Sequence, residues 1–211
     1  MEHADAIVIG AGHNGLVAAN LLADAGWSVE VLEATPHPGG AVRSGFVTAP
    51  GYLSDLFSSF YPLGFASPVL KPLGLADFGL HWTHAPDVLT HLLPDGRAAT
   101  VNRDLATTMA SMEQFAAGDG ERWKHAYDDW REVSGPMLDA LFTPFPPVRG
   151  GLALARQLRT GGMLRLARRL VLSVRELGSE MFAGEGATLA LAGCALHGGR
   201  RPCGSPTGGS R

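Results

Sequence analysis

Three glycines and one acidic residue have the types and the spacing of a dinucleotide site. Gly10, Gly12 and Gly15 form the sequence G-x-G-x-x-G. The first glycine permits a tight turn, the second lets a pyrophosphate approach the backbone, and the third lets a helix pack against a strand. Glu33 ends a second apolar segment, where its carboxylate can accept hydrogen bonds from an adenosine ribose. The four residues predict binding of an ADP-containing dinucleotide, and the carboxylate disfavours the 2′-phosphate of NADP.

A strand, a helix and a second strand must position these residues. Ala6 to Ile9 is apolar throughout, which predicts a fully buried strand of a parallel sheet. Asn14 to Ala25 is rich in alanine and leucine and is followed by Gly26, which predicts a helix that ends at this glycine. Val29 to Leu32 predicts the second strand. Strand, helix and strand in this order predict a crossover unit.

Further groups for the phosphates lie on both sides of the predicted second strand. The amides around His13 and Asn14 begin the helix, and we expect them to point at the phosphates with the helix dipole behind them. Gly39 and Gly40 offer a second close backbone approach, and Arg43 offers a counter-charge. An NAD-dependent dehydrogenase does not need this glycine pair, so the pair disfavours that class. The dehydrogenase stays open as an alternative, as does a non-catalytic module that binds an adenine dinucleotide.

The first forty residues resemble a known family of flavoproteins. The segment VIGAGHNGLVAANLLADAGWSVEVLEATPHPGGAVRS is similar to the phytoene dehydrogenase-related FAD-dependent oxidoreductases, a branch near the bacterial carotenoid (phytoene) desaturases. The segment FSSFYPLGFASPVLKPLGLADFGLHW is similar to the stretch that follows in this branch, and the resemblance spans most of residues 6–196. Amine oxidases and many desaturases carry G-G-R, whereas Ala41 stands in place of that arginine here. We expect Arg43 to supply the charge instead.

The resemblance implies an FAD-dependent oxidoreductase in which a hydride leaves a C–H bond of a small apolar substrate for the flavin. It implies an α/β fold, with part of a Rossmann-like FAD-binding domain and its parallel sheet in residues 1–80. A mixed, mostly helical partial substrate domain would follow in residues 81–196. No Ser-His-Asp or Cys-His arrangement can be assigned, so no catalytic residue is predicted. The two cysteines and eight histidines lack metal-ligand spacing, so no metal site is predicted.

Beyond Gly40 the pattern predicts an irregular segment, a hairpin and several helices. Residues 44–74 are rich in Pro, Gly, Ser and aromatic residues, which predicts a partly buried irregular stretch with a short helix near Ser67. Residues 80–101 predict a strand and then a hairpin whose turn is Pro94-Asp95-Gly96. Helices are predicted from Arg103 to Met112, from Gly120 to Phe142 and from Leu152 to Phe182, the last one broken at Gly161-Gly162.

Two of these helices carry patterns with alternative explanations. The helix over residues 120–142 has Trp123, Tyr127 and Trp130 at helical spacing, and we expect these aromatic side chains to be core. The helix over residues 152–182 carries six arginines beside many leucines. Such a helix can make a peripheral contact with an anionic membrane. We favour the alternative, a domain helix with a charged outer face.

The composition is that of an ordinary globular protein. The chain has 211 residues, 45% hydrophobic residues and a net charge of −3. No basic patch is interleaved with aromatic residues, which disfavours a nucleic acid as partner. The N-terminus has no basic region of a secretory signal, and no apolar run reaches the ~20 residues of a membrane span. We therefore predict a cytoplasmic protein.

The length and the last residues predict an incomplete enzyme. In the family that the chain resembles, a C-terminal segment returns to complete the FAD domain, and nothing after residue 40 has that pattern. We therefore expect a truncated and inactive fragment. After His197 the sequence becomes GGRRPCGSPTGGSR, which has no periodicity and predicts a disordered tail over residues 197–211. One extra base after the His197 codon would explain the change as a slip of reading frame.

Overall fold

The computed structural model describes residues 3–197, which divide into two compact units between Trp82 and Thr83. The described part of the first unit contains the strand–helix–strand segment and a long irregular stretch. The described part of the second unit contains a hairpin and five helices. The predicted disordered tail lies outside the described residues, apart from His197, which ends the last helix.

The first unit begins with a strand, a helix and a parallel strand, as the sequence predicts. Strand β1 (Ala6–Ile9) pairs in parallel with strand β2 (Val29–Leu32) along its whole length. Helix α1 (His13–Asp24) connects the two strands. The helix ends before Gly26, whose φ of +88° lies in the left-handed region and turns the chain back toward β2. Both strands therefore have their carboxyl ends at the same edge of the sheet.

The prediction that β1 is fully buried is wrong. Ala6 and Val8 are partly buried, whereas the side chains of Ile7 and Ile9 are 59% and 87% exposed. Val8 lies next to Gly15 of α1, because a Cβ added to this glycine would be 3.4 Å from the Val8 side chain. A strand is fully buried only where other elements pack on both faces of its sheet. In the described part of this unit, α1 covers the face on which Val8 lies, and the apolar sequence of β1 has an alternating exposure.

The rest of the first unit is irregular, as predicted, but far less buried than expected. Two residue pairs form a short antiparallel ladder, β3 (Ser44–Gly45) with β4 (Ser54–Asp55). Helix α2 (Pro62–Ala66) lies next to the predicted position, and two 3-10 turns follow at Lys71–Leu73 and Leu75–Phe78. Many apolar side chains of this stretch are exposed, among them Phe46, Val47, Tyr52, Leu53, Phe57 and Phe60. Turns so short and irregular cannot align these side chains on one face.

The second unit combines a β-hairpin with five helices. Strand β5 (Asp87–Leu92) pairs antiparallel with β6 (Ala98–Asn102) around the predicted turn, and residues 80–86 form no strand. The helices are α3 (Leu105–Glu113), α4 (Asp119–Leu141), α5 (Val148–Val171), α6 (Val174–Met181) and α7 (Glu185–His197).

The core of the second unit forms where α3, α4 and α7 meet. Met112 of α3 is fully buried against Phe182 and against Ala187 and Ala190 of α7. The Trp123 ring stacks on Phe182 with 5.7 Å between the ring centroids. The small residues of α7 let this helix approach its neighbours closely. The apolar sequence of α7 does not by itself predict which elements these neighbours are.

A buried carboxylate connects the start of α4 to the turn between α6 and α7. Asp119 is fully buried. Its Oδ1 accepts hydrogen bonds from the Arg122 guanidinium at 2.8 Å and from the Ala183 N–H at 2.9 Å, and its Oδ2 accepts the Gly184 N–H at 2.8 Å. A buried charge needs such partners, because an unpaired one is costly. Asp119 therefore fixes two segments that are far apart in the sequence.

The predicted break in the helix over residues 152–182 is misplaced. The backbone leaves the helical conformation at Arg159 (φ +52°, ψ −174°), two residues before Gly161. A second break separates α5 from α6 at Leu172 and Ser173. There the Ser173 hydroxyl accepts the Glu176 N–H, and the Glu176 carboxylate accepts the Ser173 N–H. This capping box starts a new helix, and its motif S-x-x-E can be recognised in the sequence.

The prediction that the aromatic residues of α4 are core is right for Trp123 and wrong for Tyr127 and Trp130, which are exposed. The three side chains share one face of α4, because they are spaced by four and three residues. Trp123 stacks on Phe182, whereas Tyr127 and Trp130 lie farther along the same face, beyond that contact.

Two arginines of α5 make ion pairs inside the second unit. Arg168 forms two hydrogen bonds of 2.6 Å with the carboxylate of Glu180, and Arg169 lies 2.7 Å from Asp129 of α4. These pairs favour a domain helix with a charged outer face. None of the helices in residues 3–197 is long and apolar enough to cross a membrane.

We expect Asp119→Asn to lower the free energy of unfolding by about 2 kcal/mol or more, because an amide nitrogen would face an N–H that now donates to a buried carboxylate oxygen. Urea denaturation followed by circular dichroism measures this change. Asp128→Asn is the matched control, since Asp128 is an exposed residue of the same helix whose partner is Lys124. Equal stability of the two variants would contradict the role assigned to Asp119.

Candidate dinucleotide-binding site

The three glycines of the first loop differ in whether the protein itself requires a glycine at that position. Gly10 has a φ of +97°, in the left-handed region that favours glycine. Gly15 faces the loop from inside α1, and a Cβ there would lie 2.0 Å from the carbonyl oxygen of Gly10. Gly12 has extended backbone angles, and a Cβ there would meet only the Gly40 Cα, at 3.8 Å. Neither conformation nor crowding within the chain therefore requires a glycine at position 12.

The predicted glycine pair lies against this loop. The N–H of Gly39 donates to the carbonyl of Ala11 at 2.8 Å, and Gly12 and Gly39 form a parallel bridge. Gly39 and Gly40 have φ values of +124° and +58°. A Cβ on Gly40 would lie 3.0 Å from the Cα of Gly12, which is tighter than most Cβ contacts in proteins and would push the two backbone segments apart. Two glycine segments far apart in the sequence thus form one continuous backbone surface.

Glu33 joins the loops that follow the two strands. Its Oε2 accepts the Ala11 N–H at 2.7 Å, and its Oε1 accepts the N–H and the hydroxyl of Thr35, each at 2.9 Å. These hydrogen bonds, with that from the Thr35 N–H the largest, hold the pKa of Glu33 below its ordinary value. The side chain is partly exposed. Glu33 is therefore an ionised acceptor at the edge of the glycine loop.

The first turn of α1 offers donors without a capping side chain. Gly12 is the N-cap residue, and the first turn contains no acidic residue. The first amides of a helix have no acceptor within the helix, and the helix dipole favours an anion there. The side chains of His13 and Asn14 are exposed, so it is their backbone N–H groups that fit the predicted contact.

Arg43 follows the glycine pair, and its Cβ lies close to Gly39. Its Nε is buried and has no hydrogen-bond partner among the described residues. The guanidinium carbon lies 5.7 Å from the centroid of the Phe57 ring. Arg43 therefore has an unpaired buried donor next to the glycine loop, which fits a role as counter-charge to a bound anion.

The structure brings the nine predicted residues to the carboxyl edge of the β1–β2 sheet. Sequence reasoning missed the Ala11 N–H and the Thr35 hydroxyl, both of which hold Glu33. A threonine two residues after an acid at a strand end is a local signal for such a contact. In residues 3–197, no group of three or more His, Cys, Asp and Glu side chains could hold a metal ion.

Residues 8–93 match the family described as "NAD(P)-binding Rossmann-like domain". The N-terminal part of the chain therefore contains a Rossmann-like domain. The predicted α/β fold class, with a parallel Rossmann-like sheet followed by mostly helical structure, is thereby confirmed. The family description covers dinucleotide binding and does not by itself separate FAD from NAD(P).

The chain is similar to several longer proteins. It is 32% identical over 139 residues to a limonene dehydrogenase subunit of Castellaniella defragrans, a match that covers 65% of the chain and 25% of that protein. It is 33% identical over 135 residues to prolycopene isomerase 2, chloroplastic, of an Oncidium hybrid cultivar, which covers 62% and 23%. It is 30% identical over 191 residues to pyridine nucleotide-disulfide oxidoreductase domain-containing protein 2 of Rattus norvegicus, which covers 84% and 31%.

The chain therefore spans about a quarter to a third of the length of these relatives. The names of the limonene dehydrogenase subunit and of the pyridine nucleotide-disulfide oxidoreductase domain-containing protein are consistent with the resemblance to FAD-dependent oxidoreductases predicted from the first forty residues.

We expect Gly12→Ala to leave the fold intact and to weaken binding of ADP-ribose about tenfold or more, equivalent to about 1.4 kcal/mol. The methyl group has room in the protein but would occupy the space through which a pyrophosphate approaches. Gly15→Ala should instead lower the melting temperature, since its Cβ overlaps the Gly10 carbonyl. Titration calorimetry and thermal denaturation measure the two effects.

Gly135→Ala provides the control, because this glycine lies in α4 and a Cβ there would meet no atom within 4 Å. Unchanged affinity of the Gly12→Ala variant would show that no pyrophosphate approaches the backbone at this position.

Proposed function

We propose that this chain binds FAD and is part of an oxidoreductase that removes hydride from an apolar substrate. The observation that carries the proposal is the contact between Gly12 and Gly40. It creates a glycine-lined surface at a helix N-terminus, and Gly12 has no internal reason to lack a side chain. Close approach of a pyrophosphate supplies that reason.

The residues present fit the ADP half of such a cofactor. The first-turn amides of His13 and Asn14 would bind the pyrophosphate, and Arg43 would supply a positive charge. Glu33 would accept hydrogen bonds from the ribose, since one acceptor position of its Oε2 is unused by the described residues. FAD, when bound, supplies the hydride acceptor. No residue of this chain is assigned to proton transfer.

The names of two relatives, the limonene dehydrogenase subunit and the pyridine nucleotide-disulfide oxidoreductase domain-containing protein, support an oxidoreductase. The limonene dehydrogenase subunit and prolycopene isomerase 2 are named for hydrocarbon substrates, which agrees with an apolar substrate here. An NAD-dependent dehydrogenase would use the same first loop and the same Glu33. The glycine pair at Gly39 and Gly40 favours FAD, because it extends the backbone surface beyond what the first loop alone provides.

Titration with FAD, NAD and ADP-ribose distinguishes the two cofactors. We expect FAD to bind more tightly than NAD by about tenfold or more, which corresponds to about 1.4 kcal/mol, and to change its visible spectrum on binding. Arg43→Gln should weaken FAD and ADP-ribose alike, whereas Arg149→Gln, at an arginine of the second unit, should change neither. Tighter binding of NAD than of FAD would favour the NAD-dependent dehydrogenase instead.

A groove between α4 and α5 is our candidate for the apolar substrate. It has a volume of about 300 Å³, in the range of small-molecule pockets. Its apolar lining comes from Trp130, Val133, Met137, Leu158 and Leu166. The ion pair between Asp129 and Arg169 lies at the same groove. The groove belongs to the second unit, and contact of this unit with a membrane surface stays a prediction.

We expect limonene, used as a small apolar probe, to show saturation-transfer signals with the protein. Leu166→Gln should abolish most of the signal, because it places an amide in the groove at a cost in desolvation. Ala155→Gln is the control, since Ala155 is exposed on the same helix outside the groove. Equal signals from both variants would exclude this groove as the binding site.

A further inference from the structure

Thr35 contacts the carboxylate of Glu33 through two donors. Its N–H and its hydroxyl both lie 2.9 Å from Oε1, while Oε2 accepts the Ala11 N–H at 2.7 Å. One carboxylate oxygen is thus held by the loop after β1 and the other by a residue of the loop after β2. Both oxygens of the side chain have fixed partners.

The Thr35 hydroxyl also lies 2.8 Å from the carbonyl oxygen of His37. A hydroxyl has a single proton, and an ionised carboxylate is a stronger acceptor than a carbonyl. The proton is therefore best placed on the side of Glu33. The His37 carbonyl, in the segment that leads to Gly39 and Gly40, can accept this proton only when the hydroxyl turns away from Glu33. Thr35 therefore lies between the carboxylate assigned to the ribose and the segment that leads to the backbone assigned to the pyrophosphate.

We propose that Thr35 is a positioning residue that selects the unphosphorylated ribose, by holding Glu33 in the orientation that accepts a ribose hydroxyl and repels a 2′-phosphate. The inference rests on the dinucleotide site proposed above. Three of the roughly four acceptor positions of the carboxylate are used by Ala11 and Thr35, and the remaining one serves the ligand. Without the hydroxyl, the side chain can turn about its own bonds and lose that geometry.

The same hydrogen bonds act on the titration of Glu33. Those from Thr35 and Ala11 lower its pKa, with the backbone of Thr35 first among the causes. Within residues 3–197, no ion pair involves Glu33, and apart from Glu33 itself His37 is the titratable residue closest to Thr35 along the chain. A carboxylate with a lowered pKa stays ionised as the pH falls. Removal of the Thr35 hydroxyl should raise the pKa, so ligand binding should be lost at a higher pH.

The test compares Thr35→Val, which keeps the shape, with Thr35→Ser, which keeps the hydroxyl. ADP-ribose and its 2′-phosphorylated form are titrated calorimetrically at neutral pH and over an acidic pH series. We expect Thr35→Val to weaken ADP-ribose about threefold to tenfold, the effect of one hydrogen bond to a charged group at a partly exposed site. The ratio of the affinity for ADP-ribose to that for its 2′-phosphorylated form should decrease. The pH below which ADP-ribose binding is lost should increase.

Thr35→Ser should restore affinity, preference and pH dependence together. His37→Gln keeps the backbone carbonyl and should match the parent protein, because the proposal assigns no role to the His37 side chain. If Thr35→Val weakens both ligands equally and leaves the pH dependence unchanged, Thr35 has a structural role only and the proposal is wrong. A variant that binds like the parent overturns it as well. If the parent itself fails to bind ADP-ribose, the proposed dinucleotide site is what fails.

Discussion

The hydrogen bond between the Glu33 carboxylate and the Ala11 N–H is the interaction on which the arrangement of the site depends. Parallel pairing brings the loops after β1 and β2 to one edge of the sheet, but it does not fix their distance. The bond of 2.7 Å does so across residues 22 positions apart. The bond from the Gly39 N–H to the Ala11 carbonyl then adds the third segment. Ala11 thus uses both its backbone groups to hold the site together.

Such close contact between backbone segments is possible only where side chains are absent. Gly15 and Gly40 meet this need directly, since a Cβ on either would overlap or crowd a neighbouring backbone atom. Gly10 and Gly39 meet a need of conformation, with positive φ values. Gly12 meets neither need. Because the protein's own conformation and packing do not require a glycine at position 12, Gly12 is the feature of this fold that points most specifically to a ligand.

The second unit uses an acid in a comparable way, although nothing connects it with the dinucleotide. Asp119 accepts N–H groups from the turn between α6 and α7, so a helix start and a distant turn are held by one buried carboxylate. Glu33 differs because it is partly exposed and keeps an unused acceptor position. The buried acid is satisfied by the chain itself, whereas the exposed one is open to a ligand. This difference separates a structural carboxylate from a candidate binding residue.

The sequence by itself determined the order of strand, helix and strand, the hairpin turn at Pro94-Asp95-Gly96 and the glycines and acid of the site. These features depend on local periodicity, on φ values that only glycine adopts readily and on motif spacing. Tertiary structure alone decided which faces are covered. It left Ile7 and Ile9 of an apolar strand exposed and placed Trp130 outside the core. It also brought Gly40 against Gly12 and the Thr35 hydroxyl onto Glu33, because contacts between distant segments depend on how the chain folds back on itself.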